Sequence, residues 1–228
     1  MSTPALAIRV PVSGDALRSA LLAAPPGATL RLGGGVYQGP FVLMQDVTLV
    51  AADPEQPPTL RGAGEGALLP VDGKGVRITL RHLQLEDGGD TNAGGLVRVA
   101  NGARLLLEDC VLRRGQATGY GGGGLYLRRG EATLRRCRIE ACEGRNGGGV
   151  LIANDATLLA EACVFAGNVA HHGGAAICVR DRAVVRLLRC DLHDHERPAG
   201  ASGTTWLIEP ATGAGAQRVA SEGCRMPS

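Results

Sequence analysis

The sequence is poor in aromatic rings and in lysine, and it has no long apolar run. Aromatics make up 3% of its 228 residues, which excludes a thick core built on large rings. No stretch approaches the roughly 18 apolar residues of a membrane-crossing helix. The opening MSTPALAIRV lacks the basic region and apolar run of an export leader. These absences lead us to expect a cytoplasmic protein with no membrane partner. An excess of one charge is missing too: the formal net charge is +2, so no global field favours nucleic acid as a partner. Lys74 is the only lysine, and arginine supplies nearly all the positive charge. The seven cysteines contain no CxxC pair, so their spacing spells neither a zinc motif nor a disulfide framework. Gly121–Gly124 has neither the lysine nor the helix that a phosphate-binding loop needs. No cofactor is expected.

Glycine, at 35 residues, and repetition are what the chain has in abundance. Between Ala103 and Leu192 one pattern recurs as ARLLLEDCVL, ATLRRCRI, ATLLAEACVF and AVVRLLRCDL. Cys110, Cys137, Cys163 and Cys190 hold one position of it, 27, 26 and 27 residues apart, and Leu83 holds it 27 residues before Cys110. Counted from that position, residues −5, −3, 0 and +2 are apolar: Leu105, Leu107, Cys110 and Leu112 in one copy, Val185, Leu187, Cys190 and Leu192 in another. Polar residues such as Glu108 and Arg135 sit between them. A period of two marks strands with an inner and an outer face. One such turn cannot bury its inner face alone, but stacked turns can. The pattern therefore predicts an all-β, single-stranded right-handed parallel β-helix of about seven coils, with an N-terminal capping helix.

One domain is expected over 1–228. Residues 1–28 supply a strand and the capping helix, which starts at Ser13-Gly14-Asp15, carries the stripe Ala16, Leu17, Ala20, Leu21, Ala24 and stops at Pro25-Pro26. Residues 29–75 form irregular first coils, with strands at Thr29–Leu32, Phe41–Leu43, Val47–Val50, Thr59–Arg61 and Leu68–Val71. Regular coils fill 76–192. A final coil and cap occupy 193–228, with a strand near Trp206–Ile208.

The helix leading into GATLRL and GVY, followed by the cysteine-strand repeat, resembles the right-handed parallel β-helix (pectin-lyase-like) superfamily over nearly the whole chain. FAGN at Phe165–Asn168 with GGAAI at Gly173–Ile177 is similar, in one copy, to the passenger repeats of polymorphic outer-membrane proteins and autotransporters. The superfamily contains polysaccharide lyases, galacturonases, pectin esterases, epimerases, phage tailspikes and non-enzymatic binding repeats. Its enzyme motifs (NTD, an Asp pair after glycine, GHG, RIK) are absent here. The resemblance thus implies the fold and leaves activity open.

Two surfaces are candidates for function. The first is the edge formed by the variable stretch after each cysteine strand, where Glu86, Asp87, Asp90, Tyr120, Asn146 and Asn168 would lie among histidines and arginines. It reads either as ordinary solvated loop or as a site. For β-elimination on an acidic sugar, His172 is a candidate base and Arg145 a candidate cation. For glycoside hydrolysis, Glu143 and Asp194 are candidate carboxyls, two coils and so roughly 10 Å apart. His171, His193 and His195 are weak metal candidates, because their spacing is not a zinc motif; no metal is expected.

The second surface is an outward apolar column of Tyr126, Leu151 and Cys178, with Leu207 as a further member. Arg98 heads the same column, and Leu106 and Leu159 lie with Thr133 and Arg186 in a second outward column. Either the chain covers these columns itself or a partner does. The leading expectation is a non-catalytic binding or scaffold module that self-associates or binds a protein partner. The alternative is a carbohydrate-active protein (acidic-polysaccharide lyase, hydrolase or sugar-binding protein) using the Arg/His/carboxylate edge.

Overall fold

A computed structural model describes residues 7–90, 94–196, 204–208 and 218–225 of the protein. For Asp90, 204–208 and Arg218 it describes the backbone alone. The strands stack into parallel sheets of nine, seven, six and four strands. One coil shows the path. Arg104–Glu108 lies in the nine-stranded sheet, Val111–Arg113 in the seven-stranded, Gln116–Ala117 in the four-stranded and Leu125–Arg128 in the six-stranded sheet; Glu131–Arg135 then opens the next coil.

The period-two pattern holds in detail. Leu105 pairs with Ile78 on one side and Ala132 on the other, and the column continues through Leu158 and Val185. All of these are buried, as is the column Leu83, Cys110, Cys137, Cys163, Cys190. The thiols act as small hydrophobes whose S–H groups reach backbone carbonyls, as Cys110 Sγ does with Glu108 O at 3.2 Å. Burial pushes the Cys110 and Cys142 thiols up to about 12.

The turn before each cysteine is made by a left-handed residue that is not glycine: Asp109, Arg136, Ala162 and Arg189 have φ of 53, 50, 52 and 52°. Such a residue costs about 1–2 kcal/mol. Stacking offsets that cost by giving each turn a partner in the next coil, as with Asp109 N–H to Arg135 O at 3.0 Å and Arg136 N–H to Glu161 O at 2.9 Å. Charge follows the same stacking. Arg136 donates twice to Asp109 at 2.7 Å, and Arg182 donates twice to Asp155 at 2.8 Å; each pair lies one coil of 27 residues apart. The glycine run serves a different need, close approach between coils: a Cβ on Gly123 would stand 2.4 Å from Glu143 O.

The capping helix, α1, runs from Gly14 to Ala23. Ser13, in extended conformation, accepts a hydrogen bond from Ala16 N–H at 3.4 Å, and Asp15 lies in the first turn. Leu17 is fully buried. α1 packs on Ala7–Val10 and Val36–Gln38, which are the first strands of the nine- and seven-stranded sheets. It thereby covers the open edges of two sheets at one end of the solenoid. Of the strands expected in the first coils, four form, at Ala28–Leu32, Val47–Ala51, Thr59–Arg61 and Leu69–Asp72. The expected Phe41–Leu43 strand is reduced to a single bridge from Leu43 to Val71, and Val36–Gln38 is a strand beyond those expected. Thr204–Ile208 is a strand beside Gly174–Val179; the side chain of Leu207 lies outside the described residues.

The number of turns is corrected: the solenoid has about six, not seven. Six strands line the six-stranded sheet, whereas the nine-stranded sheet carries additional end strands that do not complete a coil. No helix among the described residues is long and apolar enough to cross a membrane.

Candidate functional site

The site is built where the chain leaves the seven-stranded sheet. A second left-handed column, Arg114, Ala141 and Gly167, turns the chain into the two-residue strands Gln116–Ala117, Glu143–Gly144 and Val169–Ala170. Alternation buries Ala117, Gly144 and Ala170 and sends Gln116 and Glu143 outward. The next residues stay stacked through Arg145 N–H to Ala117 O at 3.1 Å, His171 N–H to Gly144 O at 3.2 Å and His172 N–H to Arg145 O at 2.8 Å. Gln116, Thr118, Glu143, Arg145, His171 and His172 therefore line a cleft of about 550 Å³. Glu143 Oε1 and His171 Nε2 are 2.7 Å apart across it.

A second depression, of about 410 Å³, shares Arg145 and His172 with the first and adds Gly119, Tyr120, Asn146 and Arg180. Asn146 Nδ2 donates to Tyr120 O at 2.8 Å, which fixes the loop. The Tyr120 ring stands edge-on to Tyr126, with centroids 6.4 Å apart, and the Arg180 guanidinium lies 5.3 Å from its centroid. The two depressions are neighbours, with Arg145 and His172 in the lining of both. Arg145 offers a planar fork of donors suited to a carboxylate or paired hydroxyls. Gln116 and Thr118 are exposed side chains that bond hydroxyl groups, whereas Asn146 is buried and holds the Tyr120 loop.

Several expected site residues do not join these depressions. Asp194 is outside the lining of the first cleft and hydrogen-bonds His193 at 2.6 Å. The metal candidates are likewise separated: His171 is tied to Glu143, His193 to Asp194, and His195 Nδ1 accepts from Asn168 N–H at 3.3 Å. No group of three metal-binding side chains occurs among the described residues. Burial pulls His195 below the ordinary histidine range. Asn168, expected on a loop, is fully buried: its Oδ1 accepts from Cys142 N–H at 3.0 Å and its Nδ2 donates to Ile139 O at 2.9 Å. Glu86 is also buried, between Arg61, Arg113 and Arg114.

The outward apolar column requires a correction. Arg98, Tyr126, Leu151 and Cys178 do stand in register on the six-stranded sheet, facing away from the main core. Yet Leu151 and Cys178 are 0% exposed and Tyr126 5%, and with Ala153 they form a small second core. In-register stacking makes these side chains contiguous, and the chain keeps them from water. Burial pushes the Tyr126 hydroxyl above its usual range. Leu106 and Leu159 lie on another face, the nine-stranded sheet, half-buried and flanked by Thr133 and Arg186. Gln116, Thr118 and Arg180 are groove residues that sequence reasoning misses. The signal for two of them is register, since Gln116 stacks on Glu143 and Thr118 precedes Arg145 by one coil of 27 residues.

No family model matches the chain, and no curated protein matches it. Solved structures do. ORF18 of Geobacillus virus E2 superposes with a TM-score of 0.65 at 13% identity, over 96% of this chain and 48% of that one. The pectin methylesterase of Aspergillus niger gives 0.60 at 17% identity, over 98% of this chain and 77% of that one. A PL6 family alginate lyase gives 0.53 at 11% identity, over 99% of this chain and 41% of that one. The chain thus spans about half the length of the virus protein and less of the lyase. At such identities the likeness is one of fold. Four parallel sheets with in-register interior ladders, together with these neighbours, make the chain a parallel β-helix protein of the pectin-lyase-like fold.

Proposed function

We propose that the protein is a non-catalytic β-helix binding module whose polar groove takes an extended, anionic saccharide. The observation that carries this reading is the pair of depressions sharing Arg145 and His172, walled by Gln116, Thr118, Glu143, Tyr120 and Asn146. Coils repeat at ~4.8 Å along the axis, comparable with one sugar ring, so a polymer lying parallel to the axis over the first cleft meets equivalent backbone positions at successive units. Arg145 pairs with a carboxylate, and the amide and hydroxyl side chains take ring hydroxyls. Fold neighbours whose names tie them to pectin and alginate support this choice of ligand by analogy alone. Binding is favoured over hydrolysis because the only carboxylate lining the first cleft among the described residues is Glu143, tied to His171 at 2.7 Å, whereas hydrolysis takes two carboxyl groups flanking the bond.

The test is affinity electrophoresis through polygalacturonate, alginate and neutral dextran. The acidic polymers are expected to retard the wild type. Arg145→Ala should weaken retention about tenfold, the loss of a charge-assisted hydrogen bond. Equal retention of wild type and Arg145→Ala, or retention by dextran alone, contradicts the reading. Release of unsaturated sugar, followed by ultraviolet absorbance, would instead make the groove a lyase site with His172 beside Arg145.

A further inference from the structure

The cysteine ladder does not end at Cys190. Val184–Leu188 pairs in register with Arg218–Glu222, and a bridge joins Asp191 to Arg225, so Cys224 occupies the next rung below Cys190. Two backbone bonds clamp this step, Arg189 N–H to Glu222 O at 2.7 Å and Arg225 N–H to Cys190 O at 2.9 Å. Between them the Cys190 N–H donates to Cys224 Sγ at 3.3 Å. Stacked strands lie ~4.8 Å apart, inside the roughly 4.4–6.8 Å Cα separation that a disulfide spans. Both thiols are free.

What distinguishes this rung is access. Cys110, Cys137, Cys142, Cys163, Cys178 and Cys190 are buried, whereas Cys224 is half-buried. We propose that Cys224 and Cys190 form an oxidisable pair, a covalent latch that fastens the last strand of the nine-stranded sheet to the coil before it. The oxidant class is a low-molecular-weight disulfide. The Cys224 thiolate attacks one of its sulfurs, breaking the S–S bond and releasing one small thiol. Cys190 then gives its proton to solvent and attacks the Cys224 sulfur, displacing the second small thiol. Two protein thiols are oxidised to one disulfide while the small disulfide is reduced to two thiols. The neighbouring Cys163 thiol and burial raise Cys190 above the ordinary thiol range. Of the two thiols only Cys224 is partly exposed, so the first attack falls to Cys224 and Cys190 reacts second.

The proposal is independent of the saccharide groove. Its test treats the full chain with glutathione disulfide, alkylates the remaining thiols under denaturing conditions and maps the peptides by mass spectrometry. Alkylatable thiols are expected to fall from seven to five, with one cross-linked peptide joining Cys190 to Cys224. The thermal midpoint should rise by several degrees and return on reduction. Cys224→Ala should lose no thiols under the same treatment. A product that stops as glutathionylated Cys224, a bond mapped to Cys163 and Cys190, or no reaction overturns the proposal. Because the peptides are mapped on the wild type, the outcome does not depend on any variant folding.

Discussion

Glu86 concentrates the electrostatics of the solenoid in one side chain. Its carboxylate is 1% exposed and accepts from Arg61 Nε at 2.9 Å, Arg113 Nε at 2.9 Å and Arg114 Nη2 at 2.6 Å. Burial alone would raise its pKa; the three arginines outweigh burial and bring it from 4.5 to about 2. A carboxyl depressed in the fold stabilises it fully above the unfolded value near 4.5, and that contribution is lost as pH falls from there through about 2. Allowing for the half-exposed arginines, the contribution is on the order of 2 kcal/mol. Glu86→Gln should therefore lower the urea midpoint at pH 7, and its deficit should shrink as the pH approaches 3. A deficit independent of pH would show that the charge is not what holds this corner.

At the scale of the element, the informative case is the six-stranded sheet. Leu151 faces away from the main core and is nonetheless fully buried with Tyr126, Ala153 and Cys178. Leu151→Glu would place an unpaired carboxylate there and should cost about 3 kcal/mol or more. The expected readout is a lowered urea midpoint with unchanged solution mass by light scattering. A fully stable variant whose mass falls by half would restore the docking-face reading.

This sheet also marks the limit of what the sequence makes legible. Period-two alternation places Leu105, Cys110, Leu112 and their counterparts inside, because an inward position sees the same neighbours in every coil. It does not say whether Tyr126 and Leu151 are covered, since cover comes from chain packed over the face and not from the strand itself. The same holds for the corners. The left-handed turns at Asp109, Arg136 and Ala162 carry no glycine, so their conformation shows only once the inter-coil bonds are seen. The Asp109–Arg136 pair is readable, being one coil apart. Asn168, in a stretch that reads as loop, turns inward because its amide bridges Cys142 N–H and Ile139 O.

For the whole molecule, the fold follows from one repeat, and its ends follow from what a repeat cannot supply. α1 covers one end at two sheets, and the half-buried Cys224 rung lies at the other. Between the ends, stacking that serves the core inside also aligns Gln116 on Glu143 and Arg145 beneath His171 outside. On the proposed reading, a one-dimensional scaffold presents its groove to a polymer. The most direct measurement is calorimetric titration with galacturonate oligomers of increasing length. Affinity is expected to rise with each added unit until the chain spans the coils bearing Gln116, Glu143 and His171, and then to level off. No heat of binding at any length, or equal affinity for neutral oligomers of the same size, would contradict the account.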